Sequence, residues 1–329
     1  MRSAKEAEEI DGVPAPLVSV VVSTYNRPAR LALLLAGLRS QRLPGESFEV
    51  VVVDNGSVGY ETQAVLRREL ERGELVLETL RHARTLGPAG GRNSGWRLAR
   101  ATLIAFTDDD CVPDPGWLMD GLREHRARPG AVIQGRTRPD RGEIEQDGLL
   151  SHTQRIERLG PWYETCNIFY PRTVLDSLGG FDERFGSLPA GEDTDLAWRA
   201  IEAGCPMAFA PNAVVRHAVE HVGALGMLRI AARWTAAVRL FAEHPELRAV
   251  LYRGAFWNNW HYLLWRSLLA LLAPRWLRRN LITLHLFNLR KRTHGAGAGA
   301  WMIPFLLLHD LVECWAVARG AVRYRTLVL

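Results

Sequence analysis

The sequence predicts an α/β chain: a doubly wound, mostly parallel sheet followed by a helical C-terminal region. Three observations lead there. From residue 17 to about residue 110, short apolar runs alternate with stretches of helical periodicity, the pattern of strand–helix units joined by right-handed crossovers. Each run ends in polar residues: Thr24/Asn26, Asp54/Asn55, Arg84, then Asp108 to Asp110. Open sheets of this kind bind ligands at the carboxyl ends of their strands. The basic and aromatic residues gather in the last third, where strand patterning is absent.

At 329 residues the chain can bury a full core, and its 47% apolar and 23% charged content is that of an ordinary globular protein. The organisation expected is a flexible segment 1–16, a principal α/β domain 17–221 and a helical, basic, aromatic-rich region 222–329. Net charge is +5, but residues 247–329 hold twelve Lys and Arg against two Asp and Glu, and 247–309 hold no acid at all. Local basicity argues for an anionic surface at one end and against a nucleic-acid fold throughout. Cys111, Cys166, Cys205 and Cys314 form no C-x-x-C pair, so neither a zinc site nor a disulfide framework is indicated and a reducing compartment is expected. Residues 1–12 are acidic and lack an apolar core, so no signal peptide is expected and the site should face the cytosol.

In order, Leu17–Ser23 reads as a strand, and Leu31, Leu34, Leu35 and Leu38 mark the helix after the Thr24–Pro28 turn. Phe48–Val53 and Leu75–Leu80 are further strands, with helices over Glu61–Arg72 and Gly91–Arg100. The segment Gly87–Asn93 reads as a tight loop or a phosphate-receiving helix start. It matches neither G-x-x-x-x-G-K-[ST] nor G-x-G-x-x-G, so ATPase and dinucleotide readings lose support. Ala101–Cys111 is a buried strand that ends in three carboxylates, Asp108 and Asp110 sharing a face if the backbone stays extended. A divalent cation would relieve their repulsion, and so would a turn that caps a helix near Pro115.

Beyond it come a strand near Ala131–Gln134, a weakly patterned Arg-rich stretch Gly135–Gly160, a short strand Thr165–Tyr170, and an aromatic-anchoring turn Gly179–Phe185. Glu192–Ala203 reads as a helix closed by Gly204, and Ala213–His217 as a strand ending in histidine. Acids in a first helical turn complement the dipole, which alone accounts for Glu192 and Asp195. In the last third, His294–Gly299 reads as a flexible connection. No apolar run is expected to reach the eighteen or so residues that span a bilayer, Leu263–Ala273 being broken by Arg266 and Ala300–Leu308 being short.

Taken in order, Ser19–Arg27, Val53–Ser57, Gly91–Gly95, Asp108–Asp110, Gly179–Glu183, Glu192–Leu196 and His217 resemble glycosyltransferase family 2, inverting nucleotide-sugar transferases of the GT-A type Rossmann-like fold. The resemblance covers residues 17–217. It implies that Thr24, Tyr25, Arg27 and Asp54 line the nucleotide pocket with Arg84 and Asn93 alongside, that Asp108 approaches the ribose and sugar, and that Asp110 and His217 hold Mg²⁺ or Mn²⁺. Asp193 matches the family's catalytic base. Asn55 departs from the pattern, many relatives carrying a second Asp there.

The reaction implied moves a sugar from a UDP- or dTDP-sugar to a hydroxyl of a glycan or lipid-linked acceptor, as in cell-envelope polysaccharide synthesis. The chain would be cytoplasmic and peripheral at the inner face of the plasma membrane, on an anionic surface, with no nucleic-acid partner. A cation neutralises charge on the departing diphosphate and one carboxylate takes the acceptor's proton. Two alternatives stand beside it. A sugar nucleotidyltransferase would begin with a Gly-rich basic loop, and Thr24–Pro28 has no glycine. A non-catalytic nucleotide-sugar-binding module would have no use for Asp110, Asp193 and His217 together.

Overall fold

The computed structural model describes residues 9–10, 13–44, 47–186 and 190–329, so most of the segment 1–16 lies outside the described residues. The chain divides into two compact units, Met1–Arg141 with Gln154–Ala218, and Gly142–Thr153 with Val219–Leu329.

In the first unit a short antiparallel pair, β1 (Glu9–Ile10) and β2 (Val13–Pro14), precedes the sheet. The alternation then runs β3 (Val18–Thr24), α1 (Pro28–Arg39), β4 (Phe48–Asp54), α2 (Glu61–Arg72), β5 (Val76–Arg81), α3 (Gly87–Leu98), β6 (Leu103–Thr107), β7 (Cys111–Pro113), α4 (Trp117–Ala127) and β8 (Val132–Pro139). After β9 (Ser151–His152), which belongs to the second unit, come β10 (Asn167–Pro171), α5 (Arg172–Leu178), α6 (Glu192–Glu202) and β11 (Met207–His217). The eight-stranded sheet has the order β5-β4-β3-β6-β10-β8-β11-β7. Its first four strands are parallel, as predicted. β10 then runs antiparallel to both β6 and β8, while β11 is parallel to β8 and antiparallel to β7.

The central strands are apolar without interruption because both faces are covered. Val20, Val22, Val50 and Val52 pack with Leu34 and Leu35 of α1 on one side. Val21, Val51 and Phe106 pack with Trp96 of α3 and Tyr170 on the other.

Two readings of the sequence need correction. The glycine-rich segment is helix, not loop, since α3 starts at Gly87. A Cβ on Gly91 would lie 2.1 Å from Ser23 Oγ, and one on Gly95 would lie 2.5 Å from Val21 Cγ1. Glycine weakens a helix interior by about 1 kcal/mol, and here it lets α3 lie directly on β3. The Arg-rich stretch after Gln134 begins as strand, β8 continuing to Pro139 with Arg136 and Arg138 less buried than their neighbours and both ion-paired to Glu157.

The second unit is helical: α7 (Gly223–Ala237), α8 (Leu240–Glu243), α9 (Asn259–Leu269), α10 (Arg275–Gly295) and α11 (Ile303–Arg323), with β12 (Glu220–His221) pairing antiparallel to β9. The short apolar run at 300–308 is only the start of a longer element. Helix continues to Arg323, and Ala300–Arg323 has a mean hydropathy of 1.4 over eighteen residues, 39% of them buried. By length and composition it suffices to cross a membrane. His294 and Gly295, expected in a flexible connection, are the end of α10.

Candidate active site

The carboxylate triplet follows β6 in a turn, so its three side chains part company instead of sharing a face. Asp108, one-third exposed, accepts a hydrogen bond from Arg92 Nη2 at 2.8 Å. Asp109 turns inward, accepting from Thr24 Oγ1 at 2.7 Å and pairing with Arg27 Nη1 at 3.5 Å. Burial and the neighbouring Asp110 push its carboxyl up to about 7. Asp110 pairs with Arg27 at 2.5 Å and lies 3.6 Å from His217 Nε2. Burial works against its charge, but His217 and Arg27 outweigh it and hold the carboxyl below the ordinary range. No aspartate caps the helix near Pro115: Gly116 precedes α4, and Gln41 Oε1 accepts from the Leu118 amide at 3.1 Å instead.

β7 and β11 bring His217 to this point, with Cys111 opposite it in register. The ring's Nδ1 donates to the Ala218 carbonyl at 2.8 Å, which orients the ring with Nε2 toward Asp110. Ligand atoms of Asp110, Cys111 and His217 all lie within 4.8 Å of one another. A carboxylate and an imidazole nitrogen this close together fit a divalent cation.

Three acids open α6, and their partners separate them. Glu192 Oε1 accepts from Arg92 Nη1 at 3.0 Å, and its Oε2 accepts from the Ala190 amide. Asp195 Oδ2 accepts from Arg199 Nε at 2.9 Å. Asp193 accepts only from the adjacent Thr194 amide among the described residues. Its carboxyl is pushed up to about 8, first by burial and then by Glu192, while Arg92 pulls the other way. Of the three, Asp193 alone has the environment of a proton acceptor working near neutral pH.

The remaining predicted residues fall into two groups. Tyr25, Arg27 and Arg84 are at least partly exposed and Thr24 is buried at the β3 end. Asp54 and Asn93 also serve as internal fastenings. Asp54 is fully buried, accepting from the Ser57 amide at 2.9 Å and from Gln63 Nε2 at 2.6 Å. Asn93 donates to the Phe181 carbonyl and Glu183 Oε1, and accepts from the Phe181 amide and Trp96 Nε1. Asn55 is a fastening as well: it donates to the Gly87 carbonyl and accepts from Leu86 N and His82 Nδ1. An aspartate could not make the first of these bonds, which gives the departure at position 55 a physical reason.

Sequence reasoning missed Arg92. At 8% exposure it joins Asp108 at the β6 end to Glu192 beside the candidate base. Its place in the Gly91-Arg92-Asn93 run was the available signal.

Residues 19–181 match the model of Glycosyl transferase family 2. The chain is 29% identical over 249 residues to the pre-mycofactocin glycosyltransferase of Mycobacterium tuberculosis, covering 71% of this chain and 49% of that protein. It is 30% identical over 226 residues to the validoxylamine A glucosyltransferase of Streptomyces hygroscopicus subsp. limoneus, covering 58% and 49%. The chain thus spans about half the length of these two relatives. Among solved structures, a mannosyltransferase of Pyrobaculum calidifontis in complex with GDP-Man and Mn²⁺ superposes with a TM-score of 0.60 at 20% identity, over 94% of this chain and 87% of that one. TarS 1-349 of S. aureus in complex with UDP gives 0.52 at 19%, over 94% and 92%. At these identities the likeness is one of fold, the mostly parallel GT-A type sheet with its helical C-terminal region.

Proposed function

We propose a reaction for a chain that belongs to glycosyl transferase family 2: transfer of a sugar, with inversion, from a nucleotide diphosphate to a hydroxyl of a glycan or lipid-linked acceptor. The observation that carries it is the sorting of carboxylates, in which Glu192 and Asp195 are ion-paired while Asp193 is left able to take a proton.

Asp193 takes the acceptor hydroxyl's proton as the oxygen attacks the anomeric carbon, and one base suffices for in-line displacement. Asp110 and His217 Nε2 would hold Mg²⁺ or Mn²⁺, which neutralises charge on the diphosphate leaving group. Arg27, beside Asp110, adds positive charge from the chain itself. Tyr25 and Arg84 line the nucleotide pocket, and Asp108, held by Arg92, faces the ribose and sugar. The relatives named as glycosyltransferases and the neighbour that holds GDP-Man with Mn²⁺ support this reading. The place of action is the cytoplasmic face of the plasma membrane, in envelope polysaccharide synthesis.

The test is a panel of UDP-, dTDP- and GDP-sugars assayed for hydrolysis and transfer with Mg²⁺, Mn²⁺ or chelator. Turnover of one donor that chelator abolishes and metal restores is the expected result. No turnover of any donor, with nucleotide-sugar binding retained, would make the chain a binding module.

A further inference from the structure

We propose that α11 lies flat in the interface of an anionic bilayer, dipping one face into the lipid, and does not cross it. This rests on the peripheral placement above and names the surface responsible for it.

The face is defined by spacing. Trp301, in the turn before α11, and Pro304, Leu308, Leu311 and Trp315 are all exposed and recur every three or four residues, with exposed Val322 two turns further along the same side. Trp301 is 77% exposed and Trp315 58%. The opposite side, with Leu306, Asp310, Glu313, Val317 and Gly320, is buried in the helical unit. Thr235 Oγ1 on α7 donates to the Ala316 carbonyl there at 3.0 Å.

Those two acids decide between lying and spanning. Asp310 is gripped through both oxygens by Arg292 of α10, at 2.7 and 3.0 Å. Glu313 accepts from Trp260 Nε1 at 3.0 Å and lies 3.1 Å from His261 Nε2, both on α9. Crossing the bilayer as a lone span would strip these partners and carry two carboxylates into hydrocarbon. Lying in the interface keeps every pair and buries only the apolar side.

Charge selects the partner. Asp310 and Glu313 are the only acids in 247–329 and both are buried, so every exposed charged side chain of that stretch is basic. Arg319 lies within the stripe between Trp315 and Val322, its guanidinium 5.4 Å from the Trp315 ring centre, a pairing suited to the headgroup region. A second copy pairing through this same face would set like charge against like charge. Anionic lipid complements it.

The test uses the full chain with vesicles of phosphatidylglycerol and phosphatidylcholine. Expected are co-sedimentation that needs the anionic lipid, falls with salt and is released by alkaline carbonate, and quenching of tryptophan emission by lipids brominated near the headgroup. The triple variant Trp301→Glu, Leu308→Glu, Leu311→Glu should lose at least tenfold in binding and keep its donor turnover in solution. Binding unchanged in a variant with native circular dichroism would place the contact elsewhere and leave the peripheral placement standing. Resistance to carbonate would show a spanning helix. A concentration-dependent dimer without vesicle binding would show that copies pair through this face, and absence of brominated-lipid quenching in the unaltered chain overturns the proposal without any variant.

Discussion

Asp193 of the α/β unit and Asp310 of the helical unit are both acids on helices with restricted access to water, and their surroundings drive them in opposite directions. Asp193 has one backbone hydrogen bond and an acidic neighbour, and its carboxyl is pushed up to about 8. Asp310 also bears a cost of burial, but His309 and Arg292 more than offset it and hold its carboxyl below the ordinary range. Glu313 follows Asp310, with His261 and Trp260 as its partners. An acid fully provided with partners is an element of architecture, whereas one given too few has reactivity built in.

The sharpest way to break this contrast is Asp193→Asn, which preserves shape and removes basicity. It should lower turnover by about 10² to 10⁴ while donor affinity stays nearly intact; steady-state kinetics and donor titration separate the two. A larger loss from Glu192→Gln than from Asp193→Asn would hand the base's role to the neighbour.

Next in size is Asp310→Ala, which leaves Arg292 beside an empty buried position. Breaking a buried pair costs about 3 to 5 kcal/mol, read as a fall in the urea midpoint, with a smaller loss for Glu313→Gln. If Asp193→Asn destabilised the chain as much, the division between architecture and reactivity would fail.

A pH series sharpens the comparison further. Asp193 binds its proton more tightly folded than unfolded, so between the ordinary carboxylate range near 4 and about 8 the folded state holds more protons. Its contribution to stability therefore falls as pH rises through that window. Asp310 and Glu313 have the opposite sign: their contribution is full above the ordinary range and is lost as pH falls through their lowered values. Thermal melts should show Asp193→Asn gaining on the parent as pH rises toward 8. Turnover, which needs the base unprotonated, should climb over the same interval.

The smallest effect expected is Asn55→Asp, about 1 to 2 kcal/mol from the unsatisfied Gly87 carbonyl, measured by the same denaturation. A neutral result would mean that the family's more usual residue is accommodated without that bond.

The parallel half of the sheet was legible because unbroken apolar runs such as Val20–Val22 and Val50–Val53 have one stable solution, a strand covered on both faces. β8 was half legible, because Arg136 and Arg138 lean on Glu157 and hide the alternation. The glycine-rich start of α3 misled because helix propensity is a local property, while its glycines answer to Ser23 and Val21 on a neighbouring strand. At the site, the order of motifs brought Asp110, His217 and Asp193 forward. It gave no sign that Asp54 and Asn93 hold hydrogen-bond partners inside the fold. Hydrogen-bond partners across seventy or more residues, as between Arg92 and Glu192, have no sequence signature.

The helical unit takes in Gly142–Thr153, a piece of chain that leaves the α/β unit at Arg141 and returns to it at Gln154. Its β9 pairs with β12, and Val219 donates its amide to Glu143 Oε2. The chain passes between the units three times, so no single cut separates them. A stop codon near residue 218 would strand Gly142–Thr153 without its neighbours, and a swap of C-terminal halves between homologues would have to exchange this inner segment too. Evolution of the helical unit is thereby tied to an insertion in the other, and recombination at one crossover point would yield a chain whose two β fragments no longer match.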